Sequence, residues 1–330
     1  MCSRVLYRGG HELVITGRTM DWYTPTETDL WAMPRGIDHE GRSLDHPFRW
    51  TSTRGSVVAS GFDAATVEGL NESGLAAHLL YLSASTFPVR NPTMPGMCIS
   101  IFAQWVLDCF DTVAEVVDAM ASEPFQLTNA TIPGGKPATA HLAVSDATGD
   151  SAVFELLDGE LVIHHGPRYV VMTNDPPYDQ QLALCAYFDE VGTEAFLPGT
   201  ERPADRFVRA SHYLDRCPST DDGDLGAAYV FAIVRNVSVP FEASDPQLPN
   251  VAPTNWRTAI DHRSLRYFFE STLHPNVFWV DLLELDLSEG APARRLVAES
   301  GPIRAGEVSS SFAPTPMLTF LPEAPDGEPA

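Results

Sequence analysis

The second residue of the chain is a cysteine, and removal of the initiator methionine would leave it first, with a thiol and a free α-amine on one residue. A small second residue permits that removal. An α-amine titrates at about 7.7–8.0 and a thiol at about 8.5, so proton transfer between the two is nearly balanced. Cys2 would therefore carry a nucleophile and its base in one covalent unit. Fifteen residues downstream lies Gly17-Arg18-Thr19-Met20-Asp21-Trp22. If the two segments pair, Arg18 places a fixed cation near the sulfur and favours thiolate. Asp21 would accept hydrogen bonds from the α-ammonium and hold it in place. The competing readings are a chance cysteine at position two and an ordinary ion pair at a strand end.

The pairing depends on local signals. Ser3–Arg8 and Glu12–Gly17 read as strands joined by the turn Gly9-Gly10, a hairpin that returns residue 18 to the neighbourhood of Cys2. Ser56–Ala59 and Gly74–Leu82 read as further strands. Residues 95–120 read as helix, with Asp111-Thr112 able to cap a second helix from Val113. A meander follows over His141–Ser145, Ala152–Leu157, Leu161–His165 and Tyr169–Met172. Tyr178–Phe188 and Leu225–Arg235 read as helices, and Leu265–Phe269 and Val277–Leu285 as strands. Strands in runs with helices between the runs imply α+β with antiparallel sheets. The reading is one domain over residues 1–330, with a surface insertion at 189–206 and an acidic, Pro-rich tail from about Ala313.

Composition removes several function classes. The 330 residues carry 21 Lys+Arg against 44 Asp+Glu, a net charge of −23, and Lys136 is the single lysine. A chain this acidic suits neither the phosphate backbone of nucleic acid nor an anionic membrane. Five cysteines at irregular spacing suggest no disulfide framework. No signal segment and no apolar run of about 18 residues is visible, so a cytoplasmic location is expected. His164-His165 on a strand would point to opposite faces and cannot share a metal. Neither a metal nor an organic cofactor is expected. Thr173-Asn174 ends a strand before Pro176-Pro177, a rigid stop that suits either a fixed amide group or a plain Asx-turn.

Taken in order and spacing, five segments resemble the choloylglycine hydrolase family, the cysteine branch of the N-terminal-nucleophile hydrolases. They are Cys2, Gly17-Arg18-Thr19-Met20-Asp21-Trp22, Gly69-Leu70-Asn71-Glu72-Ser73-Gly74-Leu75, Thr173-Asn174-Asp175-Pro176-Pro177 and Arg235-Asn236-Val237-Ser238-Val239-Pro240. The family comprises penicillin V acylases and conjugated bile-salt hydrolases, and the resemblance runs to about residue 290. It implies a four-layer αββα sandwich and hydrolysis of a linear amide through a thioester. Carried over by position, Cys2 is the nucleophile, its amine the base, and Arg18 and Asp21 their supports. Asn174 and the main-chain N–H of Tyr81 would form the oxyanion hole, and Arg235 would help order the site. One such donor contributes about 2.7–4 kcal/mol in other hydrolases.

Tyrosine at position 81 leans toward the acylase side of that family, where bile-salt hydrolases tend to carry asparagine. Trp31-Ala32-Met33-Pro34-Arg35-Gly36 resembles the subgroup acting on penicillin V and N-acyl homoserine lactones. Met20, Trp22, Trp31, Phe62 and Tyr81 are candidate walls of an apolar acyl pocket, in competition with service as core. The resemblance implies a small-molecule N-acyl amide substrate and a homotetramer. A conjugated bile-salt hydrolase and a catalytically silent binding protein of the same fold are the competing readings. A −23 surface repels anionic substrates at long range and leaves neutral acyl-homoserine lactones unaffected.

Overall fold

The N-terminal hairpin pairs β1 (Cys2–Arg8) with β2 (Val14–Asp21) along their whole lengths, Cys2 opposite Met20 and Arg4 opposite Arg18. The connection runs over Gly9–Leu13 with His11 and Glu12 at positive φ, longer than a two-residue turn. β2 also extends four residues beyond the expected Gly17. Arg18 and Asp21 are therefore strand residues whose direction is set by the pleat. The computed structural model describes residues 2–192, 196–241, 252–274 and 276–325.

β1 and β2 lie within a seven-stranded sheet. Its order is Val171–Met172, β1, β2, Thr254–Asp261, Arg266–Ser271, Val277–Asp281 and Gly306–Glu307. A second sheet of nine strands runs Glu160–His165, Ser151–Leu157, Ala140–Ser145, Ala76–Tyr81, Ala65–Asn71, Ser56–Gly61, Asp29–Met33, Arg294–Val297 and Ala313–Pro314. Helices α1 (Ile99–Cys109) and α2 (Val113–Ala121) cover the outer face of the larger sheet. On the far side are α3 (Tyr178–Val191), α4 (Pro203–Asp215) and α5 (Gly223–Asn236), of which α4 and α5 pack on β1 and β2. The result is the expected α+β sandwich of four layers. Thr112 caps α2 with a full capping box to Glu115. Two glycines let the outer helices approach. A Cβ on Gly17 would meet Val230 of α5 at 2.2 Å, and one on Gly69 would meet Leu107 of α1 at 2.5 Å.

Two expectations are corrected, and the tail takes a defined place. Residues 203–206 belong to buried α4 and are not part of a surface insertion; Pro203 occupies its first turn and Phe207, Val208 and Ala210 are buried. Residues 193–195 lie outside the described residues. The tail is docked as far as residue 325: Leu318 and Phe320 are buried, and the Glu323 carboxylate accepts from Ser43 Oγ at 2.5 Å. Tyr169–Met172 does not continue the meander, because Val171–Met172 crosses to pair with β1 in the other sheet. Among the described residues no helix is long and apolar enough to cross a membrane.

The space between the sheets is partly polar. Arg4, Arg18, Glu68, His78, His141 and Glu155 are all buried there or at its rim. Burial holds His262 down to about 4 and lowers His78, so both stay neutral where an unfolded chain would bind protons. A depressed folded value stabilises above the unfolded value near 6.5 and loses that contribution as pH falls toward 4. His39, lowered to about 4, and Asp108, raised to about 7, face each other at 3.5 Å and act in opposite senses over this window. The melting temperature should therefore fall between pH 7 and pH 4.5. A scan that is flat or rising over that interval contradicts this.

Candidate active site

The Cys2 side chain points between the sheets. It is 3% exposed, and Arg18 Nη2 donates to its Sγ at 3.1 Å. Arg18 is itself fully buried, its Nη1 bonded to the Val67 carbonyl at 2.8 Å and its guanidinium 5.1 Å over the Trp256 ring. Burial opposes the Arg18 charge, but Cys2 and Glu68 outweigh that and hold its pKa above the ordinary value. Arg18 is thus a fixed cation at the sulfur.

The Cys2 nitrogen, which becomes the α-amine once Met1 is removed, donates to Asn174 Oδ1 at 2.9 Å. Asp21 sits one strand away, its Oδ1 accepting from Thr254 Oγ1 at 2.6 Å. A residue missing from the sequence reading joins these groups. Arg206 of α4 donates to the Cys2 carbonyl at 2.9 Å, Ser3 Oγ at 2.5 Å, Asp21 Oδ2 at 3.3 Å and Asn174 Oδ1 at 2.8 Å. Burial lowers its pKa and the neighbouring Asp21 carboxylate opposes that. Arg235, expected to order the site, does not belong to it. Its side chain is 47% exposed, pairs with Glu270 at 2.8 Å and lies over Phe231. The signal available for Arg206 was the helix itself, with proline in the first turn and apolar residues at 207, 210 and 214 on one face.

Asn174 reaches Cys2 because its flanks are tied down. His141 bridges Glu155 and the Thr173 carbonyl at 3.1 and 3.0 Å. Thr173 Oγ1 donates to Gln181 Oε1 at 2.6 Å, and Asp175 accepts from Ser83 and Ala84. Asn174 Nδ2 donates one hydrogen to the Tyr81 carbonyl at 2.6 Å and has a second. Strand 65–71 pairs with 76–81 only as far as Glu68–His78, then diverges. Leu82 N–H donates to Thr139 at 3.2 Å. By ladder alternation the Tyr81 N–H then points the other way, toward the gap left by that divergence. The Asn174 amide and the Tyr81 main chain therefore stand at one corner.

That gap opens onto a cleft whose walls are almost wholly apolar. Cys2 lies in its lining, with Met20, Trp22, Phe62 and Tyr81. Trp22 packs edge-on against Phe62 at 6.0 Å and Tyr81 at 5.8 Å. Trp31 is not there. It is buried in the outer core beneath Arg295, whose guanidinium lies 5.2 Å over its ring. The strand 29–33 alternates faces, and Trp31 falls on the helix side. Ala130, Ile132, Pro137, Ala138 and Thr139 form the opposite wall, and Lys136 clasps this segment to Tyr23 by placing Nζ 4.7 Å over its ring. An exposed cation–π contact contributes about 0.5–1 kcal/mol. Lys136→Ala should therefore raise KM about two- to fivefold with kcat nearly unchanged, measured by steady-state kinetics. An unaltered KM contradicts the clasp.

The model for linear amide C–N hydrolases of the choloylglycine hydrolase family matches residues 2–294. The chain belongs to the choloylglycine hydrolase family. A penicillin V acylase of Pectobacterium atrosepticum is 44% identical over 97% of the chain and 92% of its own length. The structure of a penicillin V acylase from Agrobacterium tumefaciens superposes with a TM-score of 0.91 at 45% identity, covering 97% and 100%. A bile salt hydrolase/transferase of Clostridium perfringens is 26% identical over 72% of the chain and 79% of its own length. A conjugated bile acid hydrolase of the same species shares the fold with a TM-score of 0.76 at 20% identity, over 89% and 96%. As a member of the choloylglycine hydrolase family, the protein is an amidohydrolase acting on the C–N bonds of linear amides.

Proposed function

We propose that this choloylglycine hydrolase family member cleaves N-acyl amides with Cys2 as nucleophile, and that its substrates are of the penicillin V or N-acyl homoserine lactone kind. The observation that carries the reading is that Cys2 lines an apolar cleft with Arg18 on its sulfur and Asn174 on its nitrogen. The α-amine takes the Sγ proton as sulfur bonds to the amide carbonyl carbon. The oxyanion meets Asn174 Nδ2 and the Tyr81 N–H. Collapse breaks the C–N bond, and the ammonium returns the proton to the departing amine. Water then attacks the thioester, releasing the acid and restoring the thiol.

The apolar walls suit an uncharged acyl group, and the penicillin V acylases at 44% and 45% identity support the acylase side. The −23 charge favours the neutral lactones on approach. One assay decides: penicillin V, short- and long-chain acyl-homoserine lactones and glycocholate compared side by side at two salt concentrations. We expect turnover of the first two classes, with kcat/KM for penicillin V rising with salt and that for the lactones constant. Turnover of glycocholate alone overturns the assignment.

A further inference from the structure

We propose that Glu68 is a positioning residue for the nucleophile, anchoring Arg18 through its Nε and balancing its charge so that Cys2 rests with its proton available to the α-amine. The inference rests on the reading of Cys2 as nucleophile. Glu68 lies on strand 65–71, faces inward and is fully buried. Its Oε2 lies 3.2 Å from Arg18 Nε, while Nη2 of the same guanidinium donates to Cys2 Sγ at 3.1 Å. The carboxylate is held in turn: His78 Nδ1 lies 3.2 Å from Oε2, and Tyr267 OH donates to Oε1 at 2.7 Å. Three strands from two sheets thus fix one carboxylate, and that carboxylate fixes the cation that touches the sulfur.

The charges follow from the same contacts. A buried cation needs a partner. Glu68 supplies one to Arg18 while the thiol is protonated, so the resting pair is neutral. Burial opposes the Glu68 charge, but the His78 hydrogen bond, with His78 and Arg18 close by, outweighs it and keeps the carboxyl ionised. Other groups facing the cluster are Cys2 on β1, Asp21 on β2, Arg206 on α4 and Arg4 across the hairpin from Arg18. Without the Glu68 charge, Arg18 would be compensated only by ionising the sulfur. A thiolate formed that way, its proton already on the amine, is a weaker nucleophile held more tightly by Arg18, so attack on the amide carbonyl slows.

The test is Glu68→Gln, which keeps the shape and an acceptor for Arg18. Cys2 is alkylated with iodoacetamide across pH and located by peptide mass, and kcat and KM are measured on an acylase substrate. We expect the alkylation midpoint to move about one unit to lower pH, a tenfold rate gain on the acid limb. kcat should fall about tenfold with KM within twofold. Glu68→Asp retains the charge but shortens the reach. Its midpoint should stay near wild type while kcat falls, and it serves if Glu68→Gln does not fold. A Glu68→Gln profile that superimposes on wild type or moves to higher pH overturns the proposal, as does full kcat in Glu68→Asp. If wild type lacking Met1 neither reacts at Cys2 nor turns over, the nucleophile assignment itself fails.

Discussion

Cys2→Ala should abolish amide hydrolysis, with kcat lowered by about 10⁴- to 10⁶-fold, the scale on which removal of a nucleophile acts in other hydrolases. The fold should survive, because the change removes one sulfur and leaves the Cβ, the hairpin register and the Cys2 nitrogen and carbonyl contacts unaltered. The same dependence appears without mutation. While Met1 is attached the Cys2 nitrogen is an amide and cannot accept the thiol proton. The active fraction measured by burst or titration should therefore equal the fraction whose intact mass lacks methionine. Turnover by Cys2→Ala, or full activity in protein that retains Met1, removes Cys2 from the mechanism.

The second large effect belongs to Arg206. Arg206→Leu would leave the Asp21 carboxylate without that cation, and would strip a donor from the Cys2 carbonyl, Ser3 and Asn174. Removing one partner of a buried pair costs about 3–5 kcal/mol. A melting temperature about 5–10 °C lower is expected from that loss. kcat should fall by at least about 10²-fold, since the groups orienting Cys2 N and the Asn174 amide lose their shared donor. Arg235→Ala is the internal control. Its exposed pair with Glu270 is shared with Arg257, so stability should move by no more than about 1 kcal/mol and kcat should hold. Equal kcat losses in the two variants would contradict the placement of Arg206 as the arginine of the site.

What could be read from residues alone was local. The β1–β2 hairpin, the Thr112 cap and the placement of Arg18 beside Cys2 rest on turn and cap chemistry over a few residues, or on pairing across one hairpin. Strand Thr254–Asp261, the next neighbour of β2, carried no such pattern because Asn255, Arg257 and Asp261 interrupt its apolar residues. Asn255, for one, finds its partner far away in sequence, its side-chain amide donating to the Thr24 carbonyl 231 residues earlier. The same limit explains Trp31, whose face depends on which strand it pairs with and which helix covers it.

Cys2 was the feature that the sequence by itself determined: its type, its position and the motif fifteen residues on were enough to state a chemistry. Which of twenty arginines supports that chemistry was decided only by the fold. Arg18 is sixteen residues from Cys2 and legible through the hairpin, whereas Arg206 is 204 residues away and arrives on a helix from another layer. Glu68 is likewise reached only when two sheets stack. Short-range spacing fixes pleat and turn directly, but a buried charge is placed by whichever distant partner leaves it least unsatisfied, and that choice exists only in the packed chain.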